Sequence, residues 1–271
     1  LAKRNRLAYL KNMAPDFQVV ASDVKEFTFA EQLRLKKQIE QLRPDLVHFG
    51  MVQQPVLYRG KTVTTMHDLT TVRFCNPAKN ALVFWAKQQV YKWVNKRAAR
   101  KSTAIITPSE FVRQDVAEFC HVAPSKITVT LEAADAISQP AERVTELEDK
   151  QFIMYTGRPT PHKNLARLID AFVLLQRDRP ALHLVLAGKI DANYRAHAAR
   201  VQAAGIPNVV FTDFVSDGQL RWLYENCAAY VFPSLSEGFG LPGLEAMVHG
   251  APVVSSRRTA PMKSIPDSML R

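Results

Sequence analysis

Short apolar runs alternate with amphipathic helical periods along the whole chain, and the alternation restarts after one polar stretch. No other feature restricts the fold as much. DLVHFG (45–50), TVTTMH (62–67) and TAIITPS (103–109) are apolar without clean alternation and end in turn residues. That is the pattern of strands covered on both faces. Helical periods lie between and after them: residues 30–42, the longer Ala81–Lys101, and SEFVRQDVAEF (109–119), with Ser109 as N-cap ahead of Phe111, Val112 and Val116. KITVTLEA (126–133) reads as a further strand. ISQPAERVTELEDK (137–150) is polar, contains Pro140 and reads as a linker. Beyond it the spacing predicts strands at 152–156, 182–187, 209–211, 229–232 and 252–255, and helices at 165–177, 192–204, 217–226 and 242–249. The expected architecture is α/β, with two Rossmann-like domains at 1–137 and 151–271, mostly parallel sheets and a linker at 138–150. Open sheets of this kind bind ligands beyond the C-terminal ends of their strands, and with two of them a cleft between domains is the expected site.

The bulk properties agree with an ordinary globular protein. The chain has 271 residues, room for one large or two medium domains, and 47% hydrophobic against 23% charged residues, enough to bury real cores. No apolar run approaches the ~18 residues that a spanning helix needs. The opening LAKRNRLAYLKNMAPDF has neither an apolar block nor a cleavage-like site, so it does not read as a secretory signal. Cys75, Cys120 and Cys227 are odd in number and far apart, which excludes a disulfide framework and a Cys-rich zinc pattern and fits a reducing cytosol. The net charge of +11 is uneven: residues 1–137 hold 21 Lys and Arg against 12 Asp and Glu, and residues 138–271 hold 15 against 13. A basic first half admits nucleic acid, an anionic membrane surface or phosphorylated ligands as partners, or is simply a solvated face.

Three stretches carry chemistry. In SLSEGFGLPGLEAMVHGAPVV (234–254), Glu237 and Glu245 stand eight positions apart around a loop of Gly238, Phe239, Gly240, Leu241, Pro242 and Gly243. A loop so poor in side chains lets a ligand approach the backbone closely. Pro242 is a good first helical residue, with Leu244, Met247 and Val248 expected inward and Glu245 within the first turn. Free amides at that helix start suit a phosphate, and Glu245 suits the two hydroxyls of a ribose; Glu245 as a dipole-favourable acid remains the alternative. Glu237, on the other side of the loop, can meet a second polar group. In MYTGRPTPHKNLARLIDAF (154–172), Arg158 and Lys163 follow a strand and precede a helix, well placed to hold a diphosphate and stabilise its departure; His162 reads as a turn residue. In TVTTMHDLT (62–70), His67 can orient or polarise a ligand, and Asp68 reads as a turn or cap acid.

GRPTPHKN, FTDFVSDGQLRWLYENC and FPSLSEGFGLPGLEAMVHGAPVV together resemble the C-terminal domain of the family 4 retaining glycosyltransferases, of GT-B fold. Glu237 and Glu245 match that family's E-x7-E motif. TMHDLT and ITPSEFVRQDV resemble its N-terminal domain, especially in mannosyltransferases, and the resemblance covers about residues 40–256. It implies that Arg158 and Lys163 hold the donor diphosphate, Glu245 binds ribose hydroxyls and Glu237 contacts the donor sugar. It further implies that the backbone of Gly238, Phe239, Gly240 and Leu241 touches sugar and phosphate, that Phe214 and Val215 read the base, and that His67 lies near the donor sugar. The implied donor is GDP-mannose or a UDP-sugar, the acceptor a glycan or lipid-linked saccharide, and the chemistry retaining, with no metal and no prosthetic group.

Some features depart from the family pattern. The family opens on a strand and a Gly-rich loop, whereas this chain starts on what reads as a later helix; RRTAPMKSIPDSMLR (257–271) carries no strand or helix period, so the resemblance implies truncation at both ends. Asp213 stands where a Gly is common. The stretch WAKQQVYKWVNKRAARK (85–101) combines cations with Trp85, Tyr91 and Trp93, which suits either a core-packed helix with a solvated basic face or a peripheral membrane contact. Cytoplasmic localisation, at most peripheral at the inner membrane face, follows. A GT-B epimerase and a basic nucleic-acid-binding or scaffold protein are the alternatives; a phosphorylase would need a cofactor lysine site and a far longer chain, and no nucleic-acid motif is present.

Overall fold

The computed structural model describes residues 1–25, 28–74 and 81–256. By packing the chain divides into two compact units, one of Leu1–Met66, Val90–Ile106 and Val116–Thr128, the other of His67–Gln89, Thr107–Asp115 and Val129 onward. The expectations for Cys75 and for the segment 257–271 lie outside the described residues.

The first sheet holds four strands in the order β1 (Val47–Phe49), β2 (Thr62–Thr65), β3 (Ala104–Thr107) and β4 (Ile127–Val129), with β1–β2 and β2–β3 parallel. The helices that precede and separate these strands are α1 (Leu7–Met13), α2 (Lys36–Leu42), α3 (Thr70–Arg73), α4 (Ala81–Lys101) and α5 (Glu110–Cys120). The predicted helix over 30–42 divides: a π-helical turn, Glu31–Leu35, runs into α2. There the Gln32 side chain bonds the Val56 amide and the Gln54 carbonyl, which ties the widened turn to a neighbouring loop. In the first unit Ile39, Tyr58, Ala98, Ala99, Ile105 and Cys120 are buried around a chain of polar contacts, Gln54 Nε2 to Thr64 Oγ1 and Thr64 Oγ1 to Ser102 Oγ, at 3.0 and 2.7 Å. As expected, Ser109 caps α5, its Oγ accepting from the Val112 amide.

The second sheet is parallel throughout, ordered β7 (Val209–Asp213), β6 (His183–Ala187), β5 (Phe152–Thr156), β8 (Ala229–Phe232) and β9 (Val253–Ser255). Its strands read as unbroken apolar runs because both faces are covered. Phe152, Met154, Val185, Ala187, Tyr230 and Phe232 point into one core, shared with Leu223 and Tyr224 of α8 (Asp217–Asn226) and Ala246 of α9 (Leu241–Val248). Tyr155, Leu184 and Leu186 point into the other, with Leu165, Leu168, Ile169 and Phe172 of α6 (Leu165–Leu175) and Tyr194 and Val201 of α7 (Ala192–Ala203). Strand alternation therefore sorts each strand's residues between two cores. The chain adds β6 and β7 on one side of β5, then crosses to add β8 and β9 on the other, so the strand order reverses between β5 and β8.

The helix expected from Pro242 begins one residue earlier, at Leu241, with Gly240 as N-cap at φ 94°. Its buried residues are Gly243 and Ala246, whereas Leu244 and Met247 are half-buried and Val248 is exposed. Small residues on the inner face let the helix approach β8 and β9 closely, which the larger apolar residues would prevent.

Asp213 has φ 59°, in the left-handed region that explains why Gly is common there. Its carboxylate compensates by accepting from the Ile190 amide at 2.8 Å. Asp213→Ala keeps the unfavourable backbone and loses the acceptor, an expected loss of about 1–3 kcal/mol. Asp213→Gly removes the backbone strain along with the acceptor and loses less. Urea unfolding of the two variants should rank them in that order.

Candidate functional site

The loops that follow β5 and β8 lie side by side because their strands pair directly. After β5, Gly157 adopts φ 135°, the chain turns through the 3-10 segment Pro161–Lys163, and Asn164 enters α6 in the left-handed conformation at φ 60°. Three contacts tie this loop to the one after β8. The Leu235 amide donates to the His162 carbonyl at 2.7 Å, Asn164 Nδ2 donates to the Pro233 carbonyl at 3.2 Å, and Lys163 Nζ meets Glu237 Oε1 at 2.6 Å. The Lys163 and Glu237 side chains are only 19% and 13% exposed, and the ammonium also sits 5.7 Å from the Phe232 ring centre. His162 is half-buried against Phe74, and burial holds its ring below the usual histidine range. It serves the turn, as the sequence suggests.

The glycine loop is held by its backbone. Ser109 Oγ donates to the Gly238 carbonyl at 2.8 Å. A Cβ at Gly238 would run into the His67 carbonyl oxygen, so only glycine fits there without a shift. Neither α6 nor α9 has a side-chain cap, which leaves first-turn amides able to donate to an anion. Asp68 Oδ1 accepts from the Thr70 amide at 2.7 Å, the turn role expected of it.

His67, Asp68, Pro108, Glu132, Glu237, Gly238, Phe239, Gly240, Leu241 and Pro242 line a cavity of about 350 Å³, all of them in the second unit. Lys163 reaches its wall through Glu237. Four other predicted residues lie outside that lining. Arg158 is exposed and makes no side-chain hydrogen bond or ion pair among the described residues. Phe214 is 78% exposed, while Val215 is partly buried and packs against the core that α8 and α9 cover. Glu245 lies beyond the first turn of α9, where Tyr224 Oη donates to its Oε2 at 3.4 Å. Burial, and then the Glu245 charge, raise the Tyr224 phenol well above the ordinary tyrosine range. Sequence reasoning missed Glu132, whose Oε1 is 2.9 Å from His67 Nδ1. The apolar run KITVTLEA hides it inside an expected strand, but β4 stops at Val129 and frees Glu132 to reach the cavity. Among the described residues no group of three His, Cys, Asp or Glu side chains is arranged to hold a metal ion, and no helix is long and apolar enough to cross a membrane.

Residues 138–268 match the family described as Glycosyl transferases group 1, and residues 15–135 match Glycosyltransferase Family 4. The serotype-specific mannosyltransferase WbdA of Escherichia coli is 34% identical over 215 residues, which are 74% of this chain and 26% of that protein. The MMP alpha-(1->4)-mannosyltransferase of Mycolicibacterium hassiacum is 30% identical over 219 residues, 78% of this chain and 51% of that protein. The chain thus spans a quarter to a half of the length of these relatives. Among solved structures, Anabaena Alr3699/HepE in complex with UDP and glucose superposes with a TM-score of 0.65 at 18% identity, covering 94% of this chain and 72% of that one. WaaG, a glycosyltransferase involved in lipopolysaccharide biosynthesis, gives 0.64 at 18% identity, covering 90% and 69%. These likenesses show the fold, GT-B, and with two family models accounting for nearly the whole chain, this protein belongs to the family 4, group 1 glycosyltransferases.

Proposed function

We propose that this chain carries the donor site of a retaining, metal-independent hexosyltransferase that moves mannose from GDP-mannose, or a hexose from a UDP-sugar, to a glycan or lipid-linked acceptor. The observation that carries this reading is the Lys163–Glu237 pair, set where the strand order reverses and beside a glycine loop lining the cavity. A cation beside an uncapped helix start suits a diphosphate, and a carboxylate suits sugar hydroxyls. In the transfer, the bond from the sugar C1 to the β-phosphate oxygen breaks and a bond from the acceptor oxygen forms on the same face. The acceptor proton passes to the departing phosphate oxygen. Arg158 and Lys163 stabilise the charge that develops there. Glu245 binds ribose, Phe214 and Val215 present backbone to the base, and Glu237 and His67 contact the sugar. Residues 138–150 join an acceptor-side domain, 1–137, to the donor-side domain that follows.

Mannosyltransferase relatives favour mannose, and the UDP complex of a structural neighbour favours uridine, so the base is the first thing to measure. A thermal-shift panel of GDP, UDP, ADP, GDP-mannose and UDP-sugars should single out one nucleotide. Saturation at a hundred times Kd stabilises by about 2.7 kcal/mol, and Glu245→Ala should remove most of that effect. Lys163→Ala should lose donor turnover and also destabilise the unliganded protein by up to about 3 kcal/mol, because Glu237 is then left without its cation. A folded protein that no nucleotide stabilises contradicts the whole reading.

We extend the proposal to a peripheral membrane contact through α4, on which Trp85 and Trp93 are 59% and 55% exposed among lysines and arginines. Aromatics and cations exposed together suit an anionic lipid surface. Co-sedimentation with liposomes should rise with anionic lipid content and fall in Trp93→Ala; binding that ignores lipid charge sinks this extension.

A further inference from the structure

Tyr224 is fully buried, and among the described residues its hydroxyl has one hydrogen-bond partner, the Glu245 carboxylate. The two residues stand on α8 and α9, which precede and follow β8 in the chain and cover the same face of the sheet. Tyr224 Oη donates to Glu245 Oε2 at 3.4 Å. The phenol ring has an aromatic neighbour on two sides. Tyr230 meets it edge-on with ring centres 5.7 Å apart, and the His249 ring lies 6.0 Å away, within 13° of parallel. His249 is itself held: its Nε2 accepts from the Ile137 amide at 3.0 Å and its Nδ1 faces Glu225. A tyrosine ring turns about only two side-chain torsions, so packing of this kind fixes where its oxygen lies.

Glu245 is less constrained. It is the fifth residue of α9, past the amides of the first turn, and it is half-buried. Its carboxylate has no other hydrogen bond or ion pair among the described residues. A glutamate side chain has three torsions to settle, and one fixed donor selects among them. An ionised carboxylate only accepts, so the phenol is the donor. Burial, and then the Glu245 charge, hold the phenol in its protonated, donating form. We propose that Tyr224 is a positioning residue that holds the Glu245 carboxylate by Oε2 and so turns Oε1 to the ribose hydroxyls of the donor nucleotide. This rests on the donor-site reading above and adds to it the group that aims the ribose-binding carboxylate.

The test uses the full chain with Tyr224→Phe, Glu245→Ala and the Tyr224→Phe/Glu245→Ala double variant. Binding of GDP, UDP and their dideoxyribose analogues is measured by calorimetry, and the stability of each unliganded protein by thermal unfolding. The wild type should bind one ribonucleotide about 10-fold or more tightly than its dideoxy analogue, as loss of hydrogen bonds to a charged group requires. Tyr224→Phe removes one oxygen and keeps the ring packing. It should weaken the ribonucleotide about 5- to 10-fold and leave the affinity of the analogue unchanged, whereas a residue that only supports the fold weakens both alike. The double variant should bind the ribonucleotide no more weakly than Glu245→Ala alone. Without ligand, Glu245→Ala should lower the melting temperature, because a buried hydroxyl loses its acceptor, and adding Tyr224→Phe should restore most of the loss. Equal weakening of both nucleotide forms in Tyr224→Phe, an unchanged preference for ribose, or no thermal recovery in the double variant overturns the inference while leaving the donor site standing. A wild type that binds both forms alike removes the ribose role of Glu245, and this inference with it, but not the diphosphate site. A wild type that binds neither nucleotide brings down the donor-site reading and this inference together, a result visible before any substitution is made.

Discussion

The reversal of strand order between β5 and β8 is the constraint on which the second unit depends. On one side of β5 the connections run through α6 and α7 over one face of the sheet. On the other they run through α8 and α9 over the opposite face. Right-handed crossovers require this change of face when the chain changes direction across a parallel sheet. Two loops leaving adjacent strands then lead to helices on opposite faces while they stay in contact with each other. Lys163 stands on one of these loops and Glu237 on the other. Their pairing follows from topology, although 74 positions separate them.

A mostly buried ion pair is costly to desolvate and gives little net stability to an unliganded fold. What it does here is hold two charges at one spot in opposite sense. A ligand that brings both a diphosphate and sugar hydroxyls offers each charge a new partner: the ammonium takes phosphate oxygens, and the carboxylate, released, accepts hydroxyl hydrogens. The surrounding backbone need not rearrange for that exchange. Contacts from the His162 carbonyl and the Asn164 amide hold the loops together independently of the pair, and Ser109 holds the glycine segment.

Much of this was legible in the sequence because it depends on local rules. β5 and β8 match their predicted bounds, and α4 and α8 match theirs, since unbroken apolar runs and amphipathic periods both mark their own ends. Lys163, Glu237 and the glycine loop stand out by composition. What the sequence hid depends on contacts across the chain. The inner face of α9 is Gly243 and Ala246 because two strands approach it closely, and periodicity favours the larger neighbours instead. Glu245 shifted out of the first turn through a one-residue change in helix start, too small for pattern reading to resolve. Glu132 was concealed because hydropathy continues past the residue where hydrogen bonding to the sheet ends.

Glu132 and Gly238 also explain how a half-exposed histidine can be held still. Two constraints of different kinds act on it. Gly238 lets the loop press against the His67 carbonyl, which fixes where the side chain begins. The Glu132 carboxylate fixes where one ring nitrogen points. A bulkier loop residue would push back the first constraint and an apolar residue at 132 would remove the second. Either change acts on His67 without touching the Lys163–Glu237 pair, so the histidine and the charged pair are held by separate residues.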